Sequence, residues 1–213
     1  MGLENERREY RHGRLDRESL RDHPVAQLRH WLDQAIASGL VADPTAMCVA
    51  TVDAAGRPWQ RMVLLKQLDD RGLVFYTNLG SRKARDIAAN PRVSLHFPWN
   101  AMDRQAIVGG TARRLGAADV LKYFISRPRE SQLAAWSSRQ SSRVNSRQAL
   151  EAQFMQMRDK YRHGEVPLPD FWGGFRVEPD EFEFWQGGEH RLHDRFQYLR
   201  RADGGWEIAR LAP

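Results

Sequence analysis

The sequence is poor in cysteine and in long apolar runs, and both shortages narrow its possible functions. Cys48 is the single cysteine among 213 residues, so the chain cannot form an internal disulfide, and its apolar surroundings predict a small buried side chain. No stretch approaches the roughly 18 to 20 apolar residues that a membrane-spanning helix needs. Residues 1–24 are rich in charge and lack the apolar core of a secretory signal. We therefore expect a cytoplasmic protein without a membrane partner.

Several common ligand motifs are also missing. The chain has no Gly-x-Gly-x-x-Gly, no Walker loop and no Gly-x-Ser-x-Gly, which argues against Rossmann, P-loop and α/β-hydrolase chemistry. His190 and His193 lack a cysteine or a third histidine at metal-binding spacing. The sequence therefore predicts no metal site.

Lysine is scarce, whereas arginine is abundant. The 33 basic residues include only four lysines, and the net charge is +6. The guanidinium fork pairs with phosphate or carboxylate through two parallel hydrogen bonds, so the excess suits an anionic ligand. A genome-wide preference for arginine codons explains the same total equally well. The positions of the cations must therefore decide between these interpretations.

Apolar periodicity and turn residues predict an α+β fold that is mainly antiparallel β. Strands are expected at 46–52, 60–68, 73–76, 92–97, 105–111, 175–177, 181–185, 196–200 and 206–211, and helices at 25–37, 81–89, 117–125, 129–136 and 146–161. Strands in two groups with short helices between them are typical of an antiparallel barrel. We expect residues 1–24 to be a flexible charged arm and 25–213 to form a single domain.

Three groups of residues place cationic side chains where a bound anion would be favourable. Arg82 and Lys83 follow the helix-capping residue Ser81, so they lie where the helix dipole is already positive and a bound phosphate would be favourable. The alternative is that both side chains point into solvent. Arg61 and Lys66 lie on opposite faces of an unbroken strand. They therefore serve different ligand groups, are re-aimed by a bulge, or are ordinary charges at strand ends.

The third group follows helical spacing. Tyr123, Arg127 and Ser131 recur every four residues and would form a stripe of hydrogen-bond donors. Pro128 interrupts this pattern, so the helix kinks or restarts there. An ordinary loop whose polar groups are satisfied explains the same residues.

The densest group of polar and aromatic residues lies between Phe182 and Arg195. If the stretch after the glycine pair is extended, Arg191, His193 and Arg195 share one face and repel one another unless an anion or a π-system lies between them. Histidine titrates near neutrality, so His193 is a candidate for proton transfer, although a structural histidine is the commoner case.

These segments, in their order along the chain, resemble the pyridoxamine (pyridoxine) 5'-phosphate oxidase family. The most specific match is Phe182-Glu183-Phe184-Trp185-Gln186-Gly187 followed by Arg191-Leu192-His193-Asp194-Arg195. The other similar segments are Arg61 to Lys66, Phe75 to Asn78, Ser81 to Lys83, Ser126 to Arg129, Gln140 to Arg143 and Phe171 to Gly174. The resemblance extends over essentially the whole chain.

The resemblance implies a split β-barrel that binds FMN and forms a homodimer with FMN at the interface. By similarity, the residues that bind the cofactor are Arg61, Met62, Val63, Leu64, Leu65, Lys66, Tyr76, Thr77, Arg82, Lys83, Gln105, Gln140, Ser141, Trp185 and Arg195. Those that bind the substrate are Lys66, Tyr123, Arg127, Ser131, Arg191, Leu192 and His193, and the catalytic residues are Arg191 and His193. In that family, Arg7 to Tyr10 closes over the site or marks a second product site.

The implied reaction oxidises pyridoxamine or pyridoxine 5'-phosphate to pyridoxal 5'-phosphate. FMN carries the hydride chemistry and O2 is the acceptor, giving H2O2, and ammonia from the amine. A basic nucleic-acid-binding barrel is a rival that explains the charge but not the cations at helix starts. Another split-barrel flavoprotein, such as a flavin reductase or a haem-handling relative, is a nearer rival. This second interpretation gives no role to Tyr123, Arg127 and Ser131 together with residues 191–193.

Overall fold

The computed structural model describes Gly2 and residues 8–213, and within them it shows five α-helices and nine β-strands. The helices are Pro24–Ser38 (α1), Arg82–Ala89 (α2), Ala117–Ser126 (α3), Arg129–Trp136 (α4) and Arg147–Lys160 (α5). The strands are Ala46–Val52 (β1), Pro58–Leu64 (β2), Gln67–Asp69 (β3), Gly72–Asn78 (β4), Arg92–Trp99 (β5), Arg104–Arg114 (β6), Trp172–Gln186 (β7), Asp194–Arg200 (β8) and Trp206–Leu211 (β9). Among the described helices, none has the length and apolar character to cross a bilayer.

All the strands belong to one antiparallel sheet that curls into a split barrel. The order is β2-β1-β5-β6-β7-β4-β3, and the hairpin of β8 and β9 extends from β7. After β2 ends, the backbone N–H of Leu65 donates to Thr45 and that of Lys66 donates to Val74 in β4. The chain therefore changes partner strand at this corner, which brings β2 towards β4 and closes one side of the barrel.

The core fills one face of the sheet. Alternate residues of β5 are buried, as expected for a strand with one covered face. Helix α1 covers this layer through Trp31, whose ring meets Phe184 edge to face with centroids 5.2 Å apart. Leu15 and Leu20 lie in the same core, so the described part of the expected arm contributes apolar side chains to it. The boundary at residue 24 stays a prediction.

Two strand predictions were wrong. A single strand over 60–68 is replaced by β2 and β3, because the chain changes partner between Leu64 and Lys66. Two strands at 175–177 and 181–185 are replaced by the continuous β7. Pro179 lacks an N–H, but it lies opposite Gly110 at a register shift, where the ladder tolerates a proline.

Candidate active site

The N-terminus of α2 carries a buried cation. Ser81 caps the helix by accepting from the N–H of Ala84. The ammonium of Lys83 donates to Thr77 Oγ1 and to Gln140 Oε1, each at 3.0 Å, and its side chain is only 8% exposed. Burial, with a smaller repulsion from Arg61, lowers the pKa of Lys83 to about 8. A desolvated ammonium with neutral partners favours a bound anion.

Arg61 lies beside this lysine and is held in place by the protein. Its guanidinium donates to Thr51 Oγ1 at 2.6 Å and lies 3.7 Å from the carboxylate of Asp86, which accepts from the same threonine. Burial lowers the pKa of Arg61, and the charge of Asp86 opposes that shift. Asp86 is thus the acidic residue that offsets this group of cations, and it fixes the direction of Arg61.

A second group of residues is built on stacked aromatic rings. The rings of Tyr76 and Tyr123 stack with centroids 3.9 Å apart, and Tyr76 also lies parallel to Trp172 at 5.3 Å. The guanidinium of Arg127 lies 4.8 Å from the centre of the Trp172 ring. These four side chains come from β4, α3, the residue after α3, and β7, so tertiary packing assembles them.

Two polar atoms in this aromatic group have no partner. The hydroxyl of Tyr76 and Nη1 of Arg127 are buried, and neither makes a hydrogen bond to any described residue. Burial raises the pKa of both Tyr76 and Tyr123 and lowers that of Arg127. An unsatisfied buried guanidinium costs folding free energy, so this arrangement favours an anionic ligand.

The helix restarts at the proline, as the sequence allowed. Helix α3 ends at Ser126, Arg127 caps it, and Pro128 occupies the N-cap position of α4. Arg127 therefore lies in the turn between two helices. Ser131 lies in the first turn of α4 and is half-buried, but its side chain is not among those that line the cavity containing Tyr123 and Arg127.

Two neighbouring cavities contain these residues. The first, which we call the tyrosine cavity, has a volume of about 370 Å³ and contains the stacked rings with Arg127 and Lys66. The second, the lysine cavity, has a volume of about 510 Å³ and is lined by Trp59, Gln60, Arg61, Met62, Arg82, Lys83, Gln140 and Ser141. Met62, Lys83 and Gln140 line both. Arg61 and Lys66 therefore line different cavities, and Lys66 lies beyond the end of β2, so the alternation of one unbroken strand does not apply to it.

The remaining predicted residues lie around the other end of β7. Gln105 of β6 pairs with Trp185 of β7, which pairs with Arg195 of β8. Arg195 is oriented by Glu183, whose two carboxylate oxygens accept at 2.8 and 3.1 Å, and this ion pair raises the pKa of Arg195. Gln105 Oε1 lies 3.1 Å from Nε2 of His96.

The segment before β8 is a turn, so the condition under which Arg191, His193 and Arg195 would share one face is not met. Glu189–Arg191 forms a single 3-10 turn in which His190 and Arg191 have φ of 56° and 64°. Both are in the left-handed region, which L-residues adopt only under constraint. Arg191, His193 and Arg195 therefore do not form a regular row on one strand face.

His193 is neutral in this arrangement. Its Nδ1 accepts from the N–H of Gly188 at 3.2 Å, which leaves the single ring proton on Nε2. Burial and then the charge of Arg191 lower its pKa. The ring lies 4.7 Å from that of Trp185. His193 thus offers an N–H donor beside an aromatic surface.

The described end of the N-terminal segment packs on this second group. Tyr10 meets the rings of Trp185 and His193 edge to face at 5.5 and 5.3 Å, and the guanidinium of Arg191 lies 5.5 Å from its centre. A side chain at Gly187 would clash with the Tyr10 ring, since a Cβ there would lie 2.7 Å from it. Arg7 lies outside the described residues.

The two groups are far apart within one chain. Tyr76 pairs with Gly174 near the start of β7, whereas Trp185 lies eleven residues further along the same strand. A strand of that length spans on the order of 30 Å. The fold therefore brings Tyr76, Tyr123 and Arg127 together, and it brings Trp185, His193 and Arg195 together, but it does not join the two groups.

Several residues around the site were not predicted individually. Trp172 stacks on Tyr76, and the resemblance included its segment but gave Trp172 itself no role. Glu183 orients Arg195 and Asp86 orients Arg61, and both arginines were predicted. Leu65, predicted to bind the cofactor, faces the core and is 5% exposed. Carboxylates that act through a neighbouring arginine carry no spacing signal, so a single sequence does not distinguish them from surface charges.

Comparison with known proteins identifies the family of this chain. Residues 32–161 match the family model described as pyridoxamine 5'-phosphate oxidase, which is more than half of the chain. The chain belongs to the pyridoxamine 5'-phosphate oxidase family. Residues 172–213, which include β7 to β9, match the model described as the pyridoxine 5'-phosphate oxidase C-terminal dimerisation region.

Relatives of this oxidase family cover the chain from end to end. The pyridoxine/pyridoxamine 5'-phosphate oxidase of Teredinibacter turnerae is 60% identical over 213 residues, which is 100% of both chains. The solved structure of PhzG from Burkholderia lata 383, in complex with tetrahydrophenazine-1-carboxylic acid, is 28% identical. It has a TM-score of 0.86 and covers 92% of this chain and 95% of its own.

A more distant structure confirms the fold alone. The pyridoxamine 5'-phosphate oxidase-related, FMN-binding protein of Nostoc punctiforme is 15% identical, with a TM-score of 0.70, and covers 87% of this chain and 97% of its own. The split barrel expected from the resemblance is therefore confirmed.

Proposed function

We propose that this chain is an FMN-dependent oxidase that converts pyridoxamine or pyridoxine 5'-phosphate to pyridoxal 5'-phosphate with O2 as acceptor. The alcohol yields the aldehyde and H2O2, and the amine yields the same products with uptake of one water molecule and release of ammonia. The observation that carries the proposal is the pair of adjoining cavities, each supplied with cations and joined through Met62, Lys83 and Gln140. Two neighbouring anion sites suit a phosphorylated cofactor next to a phosphorylated substrate.

The lysine cavity suits the phosphate of FMN. Arg61, Arg82 and Lys83 supply positive charge, and the N-terminus of α2 adds backbone N–H groups that face an anion. The buried ammonium of Lys83 with neutral partners is the observation that fits such a group. Residues 62–64 of β2 and Tyr76 with Thr77 would flank the rest of the cofactor. The chemistry that FMN supplies when bound is acceptance of two electrons from carbon C4' and their delivery to O2.

The tyrosine cavity suits the phosphate of the substrate. Arg127 presents its unpaired Nη1, Tyr123 adds a hydroxyl, and Lys66 adds a second cation. The parallel rings of Tyr76 and Trp172 form the wall behind them. Binding energy from this anchor would align C4' for reaction, since a phosphate held at one end fixes the ring at the other. Ser131 as a further phosphate ligand stays a prediction.

Arg191 and His193 are proposed to act on the ring of the substrate. The guanidinium of Arg191 suits a ring face and stabilises charge that develops as the hydride leaves. His193 would donate from Nε2 to the C4' substituent, because its Nδ1 already accepts from Gly188. Tyr10 would cover this region from the N-terminal side.

A complete site needs two copies of the chain. A single pyridine ring with a phosphomethyl arm does not reach from Arg127 to His193 along one β7, given the length of that strand. A two-fold homodimer would place residues 185–195 of one protomer over the cavities of its partner and build two equivalent sites. The match of residues 172–213 to a dimerisation region supports this arrangement. Nucleic-acid binding has no part in the proposal, and a cytoplasmic location stays a prediction.

An absorption spectrum followed by anaerobic reduction tests the function. The purified protein is expected to be yellow, to lose its colour when pyridoxamine 5'-phosphate is added without O2, and to regain it in air. Pyridoxamine without the phosphate is the control and should bleach the protein far more slowly, because it lacks the anchor at Arg127. Colour that persists with both compounds points to another flavoprotein, and a protein that cannot bind FMN contradicts the proposal.

A further inference from the structure

Trp59 forms a surface on which Arg82 lies. Trp59 belongs to β2 and is 37% exposed, and Arg82 is the first residue of α2. The guanidinium carbon of Arg82 lies 3.9 Å from the centre of the indole ring. This is close for a cation over an aromatic face, and such contacts are attractive even at exposed sites.

The indole is itself held in one orientation. Its Nε1–H donates to Oδ2 of Asp53 at 3.1 Å. Asp53 is fixed in turn by the β1–β2 hairpin, where its carboxylate accepts from the N–H groups of Ala55 and Arg57 and from the Arg57 side chain. These contacts lower the pKa of Asp53 to about 2, with the Trp59 hydrogen bond as the largest cause. The indole ring of Trp59 is therefore fixed by its hydrogen bond to a well-defined turn.

The charge of Arg82 is left available by this contact. Within residues 8–213, no carboxylate pairs with Arg82, and the helix dipole repels a cation at this position. An aromatic face orients a guanidinium without neutralising it, whereas an acidic partner would compete with an incoming anion. The backbone N–H of Arg82 donates to Ser141 Oγ, and Ser141 and Lys83 line the same cavity.

We propose that Trp59 is a positioning residue that holds Arg82 towards the phosphate of FMN in the lysine cavity. This inference rests on the proposed function, because it assigns that cavity to the cofactor phosphate. Trp59 would not contact the reacting atoms of the flavin or of the substrate. Its effect passes through Arg82, so it should act on recognition of the phosphate and not on recognition of the flavin ring.

Binding of FMN and of riboflavin to the apoprotein separates these effects. Riboflavin has the same ring system without the phosphate, and quenching of flavin fluorescence reports the Kd of each without any turnover. In Trp59→Leu we expect the Kd for FMN to rise roughly three- to tenfold, with the Kd for riboflavin unchanged. Trp59→Phe keeps an aromatic face and should recover most of the affinity for FMN.

A double-mutant cycle provides the second readout. Trp59→Leu should have no further effect on FMN binding in an Arg82→Gln background, because the residue through which it acts is gone. Trp59→Thr, a residue suited to a strand, repeats the test if the leucine variant is poorly soluble. Circular dichroism of each apoprotein checks that the fold is retained.

The outcomes distinguish this inference from the proposed function. Wild-type protein that does not bind FMN overturns both. Wild-type protein that binds FMN, with the same Kd in Trp59→Leu, overturns the inference alone. An equal loss of FMN and riboflavin also overturns it, since that result would mean that Trp59 supports the ring or the fold and not the phosphate contact.

Discussion

At the scale of single residues, Arg127 combines burial, a ring contact with Trp172 and an unsatisfied Nη1. Its proposed contact with the substrate phosphate exists in the ground state and in the transition state alike. We therefore expect Arg127→Ala to raise KM for pyridoxamine 5'-phosphate roughly 10- to 100-fold, with kcat little changed. Steady-state kinetics measures both constants.

Lys122→Ala is the matched control for this substitution. Lys122 is an exposed cation of α3, the helix that ends just before Arg127, so its loss should leave both constants unchanged. A variant of Arg127 that loses kcat at an unchanged KM would contradict the phosphate assignment.

We expect Lys83 to make FMN binding sensitive to pH. Its pKa of about 8 in the apoprotein means that it is charged below pH 8 and increasingly neutral above it. A bound phosphate favours the ammonium form, so binding above pH 8 must take up a proton. Affinity for FMN should therefore fall as pH rises through 8, approaching tenfold per pH unit.

Titrations of the apoprotein between pH 7 and 9.5 measure this dependence. Lys83→Arg is the control, because a guanidinium remains charged over that range and the slope should disappear. A Kd for the wild-type protein that stays constant up to pH 9.5 would show that Lys83 does not face the phosphate.

The sequence indicated the cations that line the cavities, but not the residues that orient them. Helix capping by Ser81 and the spacing of Tyr123 and Arg127 are local signals, so both were predictable. Glu183 and Asp86 act through contacts with residues 12 and 25 positions away, and Trp59 reaches Arg82 across two elements. Pairings of this kind follow from packing and leave no pattern in one sequence.

At the scale of elements, the N-terminal segment is anchored by one buried carboxylate. Asp103 is 1% exposed, forms an ion pair with Arg8 at 2.6 Å, and accepts from the N–H of Arg11 at 3.1 Å. Asp103→Asn removes the charge that holds Arg8 while retaining the shape of the side chain. We expect trypsin to cleave after Arg11 several-fold faster in this variant, because local release exposes the segment.

Mass spectrometry of timed digests under native conditions provides the measurement. Asp16→Asn is the control, since among the described residues the hydrogen bonds of Asp16 are all made with Ser19 in its own turn. Equal cleavage rates in wild-type protein and Asp103→Asn would show that the anchor contributes little to the docking of Tyr10.

The positions of helices and hairpins were predictable, whereas the corners of the barrel were not. Periodicity located α1 and the β1–β2 turn because both depend on neighbours in sequence. The break after Leu64 and the continuity of β7 through Pro179 depend on which strands become partners. Long-range pairing of this kind decides where a strand bends or ends, and local propensity does not report it.

At the scale of the whole molecule, a site shared between protomers predicts complementation. Arg127→Ala removes a residue of the group near the start of β7, and Arg191→Ala removes a residue of the group near its end. We call these groups half-sites, because a complete site would take one group from each protomer. In a heterodimer of the two variants, one site carries both defects and the other carries none. Random reassociation should therefore restore about a quarter of wild-type activity, through the half of the dimers that are mixed.

Co-refolding of the two purified variants, followed by a turnover assay, measures this recovery. Each variant refolded alone is the control and should show low activity when pyridoxamine 5'-phosphate is held near the wild-type KM, because the defect of Arg127→Ala is in KM. If the mixture shows only the average of the two variants, both half-sites belong to one protomer and the dimeric arrangement is wrong.

The left-handed turn at His190 and Arg191 limits how this molecule can adapt to heat. Left-handed φ values at two consecutive L-residues carry a conformational cost that the surrounding contacts sustain. Glycine at position 190 would relieve part of that cost, but it would also loosen the backbone that holds the guanidinium of Arg191. Under the proposed role of Arg191, a substitution that stabilises this turn would therefore be expected to lower the rate of turnover.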